Sequence, residues 1–334
     1  MGAVLVTGGA GYIGSHIVRR LLEEGRDVIV LDDLSEGHRA AVADGATLVE
    51  GDCGDERLLG EVLAGERVSW IVHMAASSLV GESIEDPAKY YDNNVAKGLA
   101  LLDGARRAGV AGIVFSSSAA VYGDPADLPI TEEQPAAPTN PYGETKIAFE
   151  RALGWYRRAY GTRYASLRYF NAAGAHPSGG IGEDHARETH LIPRLLGALL
   201  RGGAPVPIFG EDYPTADGTC IRDYVHVVDL AEAHVLALAA LESGRIDAGA
   251  FNLGNGEGFS VREVVDTVAR VTGSQPPTTR APRRPGDPAI LVASSARAAK
   301  RLGYRPSIPR LEDIVATAWR WHREHPEGYG DRAR

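Results

Sequence analysis

The sequence predicts an α/β protein, a doubly wound parallel sheet followed by a smaller, loop-rich C-terminal part. Three observations point there. Short Val/Ile-rich runs alternate with amphipathic stretches through the first half; the first run opens into the glycine-rich "TGGAGYIG"; and after residue 171 long Gly-, Pro- and Asp-rich loops take over. Apolar strands separated by helices fit a parallel sheet, because the crossover helices cover both of its faces.

The strand-like runs are "AVLVT" (3–7), "DVIVLD" (27–32), "ATLVEGD" (46–52), "SWIVHMAA" (69–76), "GIVFSSS" (112–118) and "YASLRYFN" (164–171). Between the first two, "YIGSHIVRRLLEEG" sets Ile13, Ile17, Leu21 and Leu22 on one helical face, with Arg19, Arg20, Glu23 and Glu24 mostly on the other. "NPYGETK" starts another helix, since Asn140 suits an N-cap and Pro141 the first helical position. Helices resume at "HVVDLAEAHVLALAAL", at "SVREVVDTVARVTG", where Ser260 and Glu263 form a capping box, and at "PRLEDIVATAWRWHREH". The long loops "NAAGAHPSGGIGED" and "FGEDYPTADGTCIRDY" are of a length that compact enzymes use for function.

Composition narrows the class. The 334 residues are 44% hydrophobic and 24% charged, an ordinary globular balance. A net charge of −9 speaks against nucleic-acid binding, so an anionic ligand needs a local basic cluster such as Arg280, Arg283 and Arg284. No apolar run approaches the roughly 20 residues that span a bilayer, and the N-terminus reads directly as a strand; the expectation is a cytoplasmic protein without a membrane. Cys53 and Cys220 read as small buried hydrophobes rather than a disulfide framework. The ten histidines show no metal-ligand spacing. His176, His185 and His190 share a loop with Asp184, and surface or packing roles are expected for them.

Gly8, Gly11 and Gly14 follow a first strand and head a helix. There the backbone turns tightly and aims helix N–H groups at a pyrophosphate. Asp32 ends the second strand, where a carboxylate binds the adenine ribose and repels a 2′-phosphate; NAD is therefore expected rather than NADP. Together these make the first half a Rossmann-type dinucleotide domain. Asp52, ending the third strand, is a candidate adenine contact. Tyr142 and Lys146 lie four apart on one helical face, and "SSSAAVYG" closes the fifth strand at the ligand edge of an open parallel sheet.

A serine at a strand end, a Tyr-x-x-x-Lys helix and a dinucleotide fingerprint together resemble the short-chain dehydrogenases. More closely, the chain resembles the UDP-glucose (UDP-galactose) 4-epimerases of that superfamily's extended branch. The motifs that carry the resemblance are "TGGAGYIGSH", "VHMAASSLVGES", "YYDNNVAKG", "SSSAAVYG", "NPYGETK", "RYFNAAGAHPSGGIGED", "FGEDYPTADGTCIRDYVHVVDLA" and "RRPGD".

The resemblance implies reversible C4 epimerisation of UDP-hexoses through a 4-keto intermediate, with NAD as a retained prosthetic group. It implies catalysis by Ser118, Tyr142 and Lys146. Lowering a phenol by ~3 pKa units takes about 4 kcal/mol, to be supplied by the Lys146 ammonium, by the nicotinamide and, in smaller part, by the helix N-terminus. Tyr12 and Ile13 would offer backbone N–H groups to the pyrophosphate. Asp32, Asp33 and Ser35 would surround the ribose, with Asp52 and Cys53 at the adenine. Ala75, Asn93 and Phe170 would approach the cofactor. For the nucleotide sugar the matching positions are Asn171, His190, Leu191, Phe209, Arg222, Arg284, Asp287 and Leu291. Residues 1–171 would form the NAD-binding domain and 172–334 mainly the nucleotide-sugar domain, some of that chain returning to the first.

Family members commonly dimerise through two helices, here at 87–109 and 140–161. Ile147, Leu153 and Tyr156 supply apolar surface on the second, so a homodimer is expected. Four departures stand out. Ser78 replaces a lysine that some members aim at the cofactor, predicting weaker NAD retention. Ala120 replaces a sugar-binding threonine, and His190 an asparagine. Leu291 lies between the tyrosine and the small residue that close or open the pocket to an N-acetyl group. The rivals are a nucleotide-sugar 4,6-dehydratase, disfavoured because Ala119 and Ala120 stand where an Asp-Glu pair is needed, and a non-catalytic NAD sensor, disfavoured because Tyr142 and Lys146 are both present.

Overall fold

The structure is a computed structural model that describes residues 2–125, 127–202, 204–284 and 287–331. The six expected strands form: β1 (Ala3–Thr7), β2 (Val28–Asp32), β3 (Thr47–Glu50), β4 (Val68–His73), β5 (Gly112–Ser118) and β6 (Arg163–Tyr169). They pair in parallel throughout in the order β3-β2-β1-β4-β5-β6, the arrangement of a dinucleotide-binding sheet. The expected sixth strand divides at Phe170. Beyond it, β7 (Asn171–Ala173) leaves the large sheet for a small one.

Helices cover both faces. On one side lie α1 (Tyr12–Glu23) and, far along the chain, α8 (Val227–Glu242) and α10 (Ala296–Leu302); their side chains join Val4, Val6, Val30 and Val114 in one core. On the other side are α2 (Glu56–Gly65), α5 (Lys97–Ala108) and α6 (Pro141–Tyr160), over Leu5, Ile29, Ile71 and Ile113. Successive residues of β1 thus serve opposite cores, as the period of a strand requires. Two short helices, α3 (Val80–Glu85) and α4 (Pro87–Tyr91), lead through a π-helical turn at Asp92–Ala96 into α5.

The C-terminal part carries α7 (Leu191–Arg201), β8 (Val206–Phe209), β9 (Ile221–Arg222), β10 (Tyr224–His226), β11 (Ala248–Leu253), β12 (Phe259–Ser260), α9 (Val261–Thr272), β13 (Thr278–Ala281), β14 (Ile290–Leu291) and α11 (Leu311–Glu324). Its own core lies among α7, α9 and α11. Three small sheets, β7 with β10, β8 with β13, and β12-β9-β14, hold the loops in place. β11 does not belong to them. It pairs in parallel with β6 as a seventh strand, Ala248 opposite Tyr164 through Leu253 opposite Tyr169. The expected capping box is present at the head of α9.

Candidate active site

A cleft of about 750 Å³ runs along the C-terminal edge of the large sheet and is walled on its far side by the C-terminal part. Its floor is the glycine turn. Gly8 has φ +69°, and a Cβ there would lie 2.6 Å from the Ala75 nitrogen; one on Gly14 would lie 2.1 Å from the Gly8 oxygen. No side chain larger than hydrogen fits at either. Gly11 caps α1 without a side-chain hydrogen bond, and the first turn carries no acid. Its first N–H groups, from Tyr12 and Ile13 onward, are thus left for an anion. Asp32 is buried. Its Oδ2 accepts from the Ala10 nitrogen at 2.9 Å and its Oδ1 from the Leu34 nitrogen at 2.9 Å, which fixes the carboxylate at the cleft edge. This donor set and carboxylate fit a dinucleotide with a free adenine ribose, so NAD suits the residues present.

Gly8, Gly11, Tyr12, Ile13, Gly14, Asp32, Asp33, Ser35, Asp52, Cys53, Ala75, Asn93 and Phe170 all line the cleft. Asp33 binds its own loop through Ser35, and Asp52 is paired to Lys97 at 2.6 Å. Asn93 donates to Ser77 Oγ at 3.2 Å. Its neighbour Asn94, which the sequence reading did not single out, is buried. It bridges the backbone of Ser77, through its N–H at 2.8 Å and its carbonyl at 3.0 Å, to Thr145 Oγ1 at 3.0 Å on α6. The signal was there: two asparagines inside an otherwise helical run compete with the helix for backbone groups.

Ser118, Tyr142 and Lys146 line the same cleft, with the Lys146 nitrogen 5.6 Å from the centre of the Tyr142 ring. Ser118 ends β5 and accepts from the Ala120 nitrogen at 3.1 Å, which leaves its proton for another acceptor. Asn140 caps α6 by accepting from the Gly143 nitrogen at 2.9 Å, so the first turn presents Tyr142 inward as expected. Burial governs the electrostatics of the pair. Burial pushes the Tyr142 phenol above its ordinary range, and a hydrogen bond from Ser118 only partly opposes this. Burial also brings Lys146 down to about 7, with the Glu150 carboxylate pulling the other way. The Lys146 ammonium donates to the Ser116 carbonyl at 2.8 Å and lies over the ring of Phe115 rather than in the open.

On the far wall are Asn171, His190, Arg222, Asp287 and Leu291. Arg222 is ion-paired with Asp287 and donates to the Ile221 carbonyl at 2.7 Å. Leu291 belongs to a small apolar cluster with Phe170, Val121 and Tyr122. Three expected residues do not line the cleft. Leu191 is the first residue of α7 and packs on the C-terminal core. Arg284 stacks on Phe209 with its guanidinium carbon 4.0 Å from the ring centre, and the two spend their contact on each other. Arg280 and Arg283 are paired with Glu211 and Asp212 on the surface. Pro285 and Gly286 of "RRPGD" lie outside the described residues. Ser78 and Ala120 both line the cleft, and among the described residues no helix is long and apolar enough to cross a membrane.

A model of the NAD dependent epimerase/dehydratase family matches residues 4–254. The chain belongs to this family. It is similar to a UDP-glucose 4-epimerase of Halalkalibacterium halodurans, 54% identical over 98% of this chain and 97% of that one. Its fold matches the crystal structure of UDP-glucose 4-epimerase from Brucella ovis in complex with NAD, with a TM-score of 0.93, 47% identity, and coverage of 96% and 98% of the two chains. It also matches that of the Bifidobacterium longum enzyme in complex with NAD+ and UDP, with a TM-score of 0.91, 39% identity, and coverage of 98% and 99%.

Proposed function

We propose that the protein interconverts UDP-galactose and UDP-glucose at C4 as an isomerase with NAD as a retained prosthetic group. One observation carries the reading: Ser118, Tyr142 and Lys146 converge in the same cleft as a glycine cradle built for a pyrophosphate. Bound NAD supplies the hydride acceptor and donor and a positive charge at its nicotinamide ring. Tyr142 removes the C4 hydroxyl proton and later returns it, while Ser118 bridges that oxygen and the phenol. Lys146 holds the nicotinamide ribose. Since burial raises Tyr142, the positive charge needed at the phenol comes from the bound ligand as well as from Lys146.

Gly8, Gly11, Tyr12, Ile13 and Gly14 take the pyrophosphate, Asp32, Asp33 and Ser35 the ribose, and Asp52 and Cys53 the adenine, with Ala75, Asn93 and Phe170 nearer the nicotinamide. The UDP moiety falls to Asn171, His190, Arg222 and Asp287 in the cleft, and to Leu191, Phe209 and Arg284 beside it. Residues 1–171 serve NAD and 172–334 mainly the nucleotide sugar, with α8 and β11 returning to the first part. Ala119 and Ala120 have no side-chain group that can act as acid or base, which argues against dehydration at C5 and C6.

The protein forms a homodimer through α5 and α6. Ile147 and Leu153 are buried in the subunit's own cores, so they contribute nothing to the interface expected of them. The surface is supplied instead by Trp155, 65% exposed, and Tyr160, 59% exposed, with Leu99 on α5. Free, buried Cys53 and Cys220 fit a reducing, cytoplasmic compartment. Incubation with UDP-galactose and no added cofactor, followed by sugar analysis, tests the function. UDP-glucose without net NADH is expected. Stoichiometric NADH makes the protein a dehydrogenase, and no conversion even with added NAD overturns the reading. A subunit-sized mass by light scattering at micromolar concentration overturns the dimer.

A further inference from the structure

We propose that Glu183, His185, Glu188 and His190 bind one divalent transition-metal cation of the zinc class, as a structural ion in the wall of the cleft. The four residues lie in the loop between β7 and α7, and one donor atom from each falls within 4.8 Å of all the others. His190 Nδ1 is 2.8 Å from Glu183 Oε1 and 3.1 Å from Glu188 Oε1. His185 Nδ1 is 3.1 Å from Glu188 Oε2 and 3.5 Å from Glu183 Oε1. Ligands bound at ~2.0–2.1 Å in a tetrahedron stand about 3.3 Å apart; the four imidazole–carboxylate separations lie near that value, and the donor set, now within 4.8 Å, has to draw in slightly around an ion.

Hydrogen bonding accounts for only part of the cluster: His185 Nδ1 bonds to Glu188 Oε2 at 3.1 Å and the His190 backbone N–H donates to Glu188 Oε1 at 2.7 Å. Each imidazole turns one nitrogen to two carboxylates, and that nitrogen carries at most one proton. Glu183 is buried, its side chain only 5% exposed, and its Oε1 finds no aligned hydrogen-bond donor despite the nearby imidazoles. The imidazole 2.8 Å away offsets the charge of this buried oxygen without aligning a proton on it, and a cation at the centre satisfies it together with the other three donors. Two imidazole nitrogens and two carboxylate oxygens suit zinc. Calcium asks for six or more oxygens, and magnesium for an octahedron with several waters.

Four protein ligands close a tetrahedron and leave no open position, so the ion orders the loop and does not polarise a substrate. The ordered loop faces the cofactor cradle. Glu183, His185 and His190 line the cleft, His185 meets the Tyr12 ring edge-on with centres 6.3 Å apart, and the Tyr12 hydroxyl donates to the Gly174 carbonyl at 2.6 Å.

The test is independent of epimerisation. Chelator-treated, dialysed full-length protein is titrated with zinc chloride by calorimetry, and with cobalt(II) by visible absorption. The expected result is uptake of one ion per chain, with the strong absorption of tetrahedral cobalt, displaced by zinc. His185→Asn and Glu188→Gln, checked for folding by circular dichroism, should each weaken zinc binding by at least the ~10–100-fold that loss of even an outer partner costs. Absence of stoichiometric uptake overturns the proposal, and so does uptake that survives both substitutions. The cluster is then a set of protonated imidazole–carboxylate pairs. Should both variants fail to fold, the wild-type cobalt spectrum decides, the weak absorption of octahedral cobalt counting against the site.

Discussion

At the scale of the residue, Tyr142 is held by burial above its ordinary pKa and within reach of the Ser118 hydroxyl. Tyr142→Phe removes the proposed proton carrier and little volume. It should bind NAD normally and lose about 10²–10⁴-fold in kcat, measured by product analysis alongside cofactor content. Near-wild-type turnover would remove Tyr142 from the mechanism. Leu291 tests specificity in the same cleft, where it packs near Phe170. We expect slow but measurable turnover of UDP-N-acetylglucosamine. Leu291→Tyr should cut it by roughly ten- to a hundredfold while sparing the plain hexoses, because overfilling a tight wall costs ~1–3 kcal/mol. Undiminished N-acetyl turnover by that variant would mean the gate lies elsewhere.

Between elements, one turn and one buried network carry most of the consequence. Gly14→Ala would place a methyl carbon 2.1 Å from the Gly8 carbonyl oxygen, where the head of α1 meets the turn after β1. Because backbone, not a flexible side chain, is in the way, the variant should lose NAD on purification even if it folds; full cofactor content would contradict the cradle. The network joins β5, β6, α6 and β11. Arg168 donates to both Glu150 oxygens, at 2.9 and 2.6 Å, Ser117 donates to Glu150 at 2.5 Å, and the Tyr122 hydroxyl sits between Arg168 and Asn252. Glu150→Ala leaves the Arg168 guanidinium buried and unpaired, which typically costs about 3–5 kcal/mol. Urea unfolding should show it. A change below 1 kcal/mol would mean that water reaches Arg168.

The whole molecule answers to pH through buried groups of opposite sign. Burial lowers His16 and His73 to about 3, and His226 and His234 to about 4. Below their unfolded value near 6.5 the unfolded chain binds these protons first, so stability falls as pH drops from there towards 4. Asp223 opposes this. Burial raises it to about 6, so its contribution is fully present only below its unfolded value near 3.9 and is lost as pH rises through 6, an effect of ~3 kcal/mol. Burial also lowers His176 and His322 and raises Asp32; the lowered histidines outnumber the raised aspartates, and the melting temperature should fall from pH 7 to 5. Asp223→Asn removes the opposing group and should steepen that fall; a shallower fall would reverse the sign assigned to Asp223.

Six strands of the large sheet, the head of α6 at Asn140, the cradle of Gly8, Gly11 and Gly14, and the triad of Ser118, Tyr142 and Lys146 were all legible in the sequence. Each rests on local information: a period of two or of 3.6, a cap, or a spacing within one turn of chain. β11 was not legible. "AGAFNL" has little strand character of its own and becomes the seventh strand because the edge of β6 is there to pair with it. The environment of Lys146 was also out of reach, since its pKa follows from how deeply Phe115 and the rest of the core cover it. So was the meeting of Glu183, His185, Glu188 and His190. Their spacing along the chain follows no metal motif, and only the path of the loop between β7 and α7 turns their donor atoms towards one point. Pattern along the chain selects elements and motifs; burial and convergence depend on which distant surfaces pack together, and those the tertiary structure alone decided.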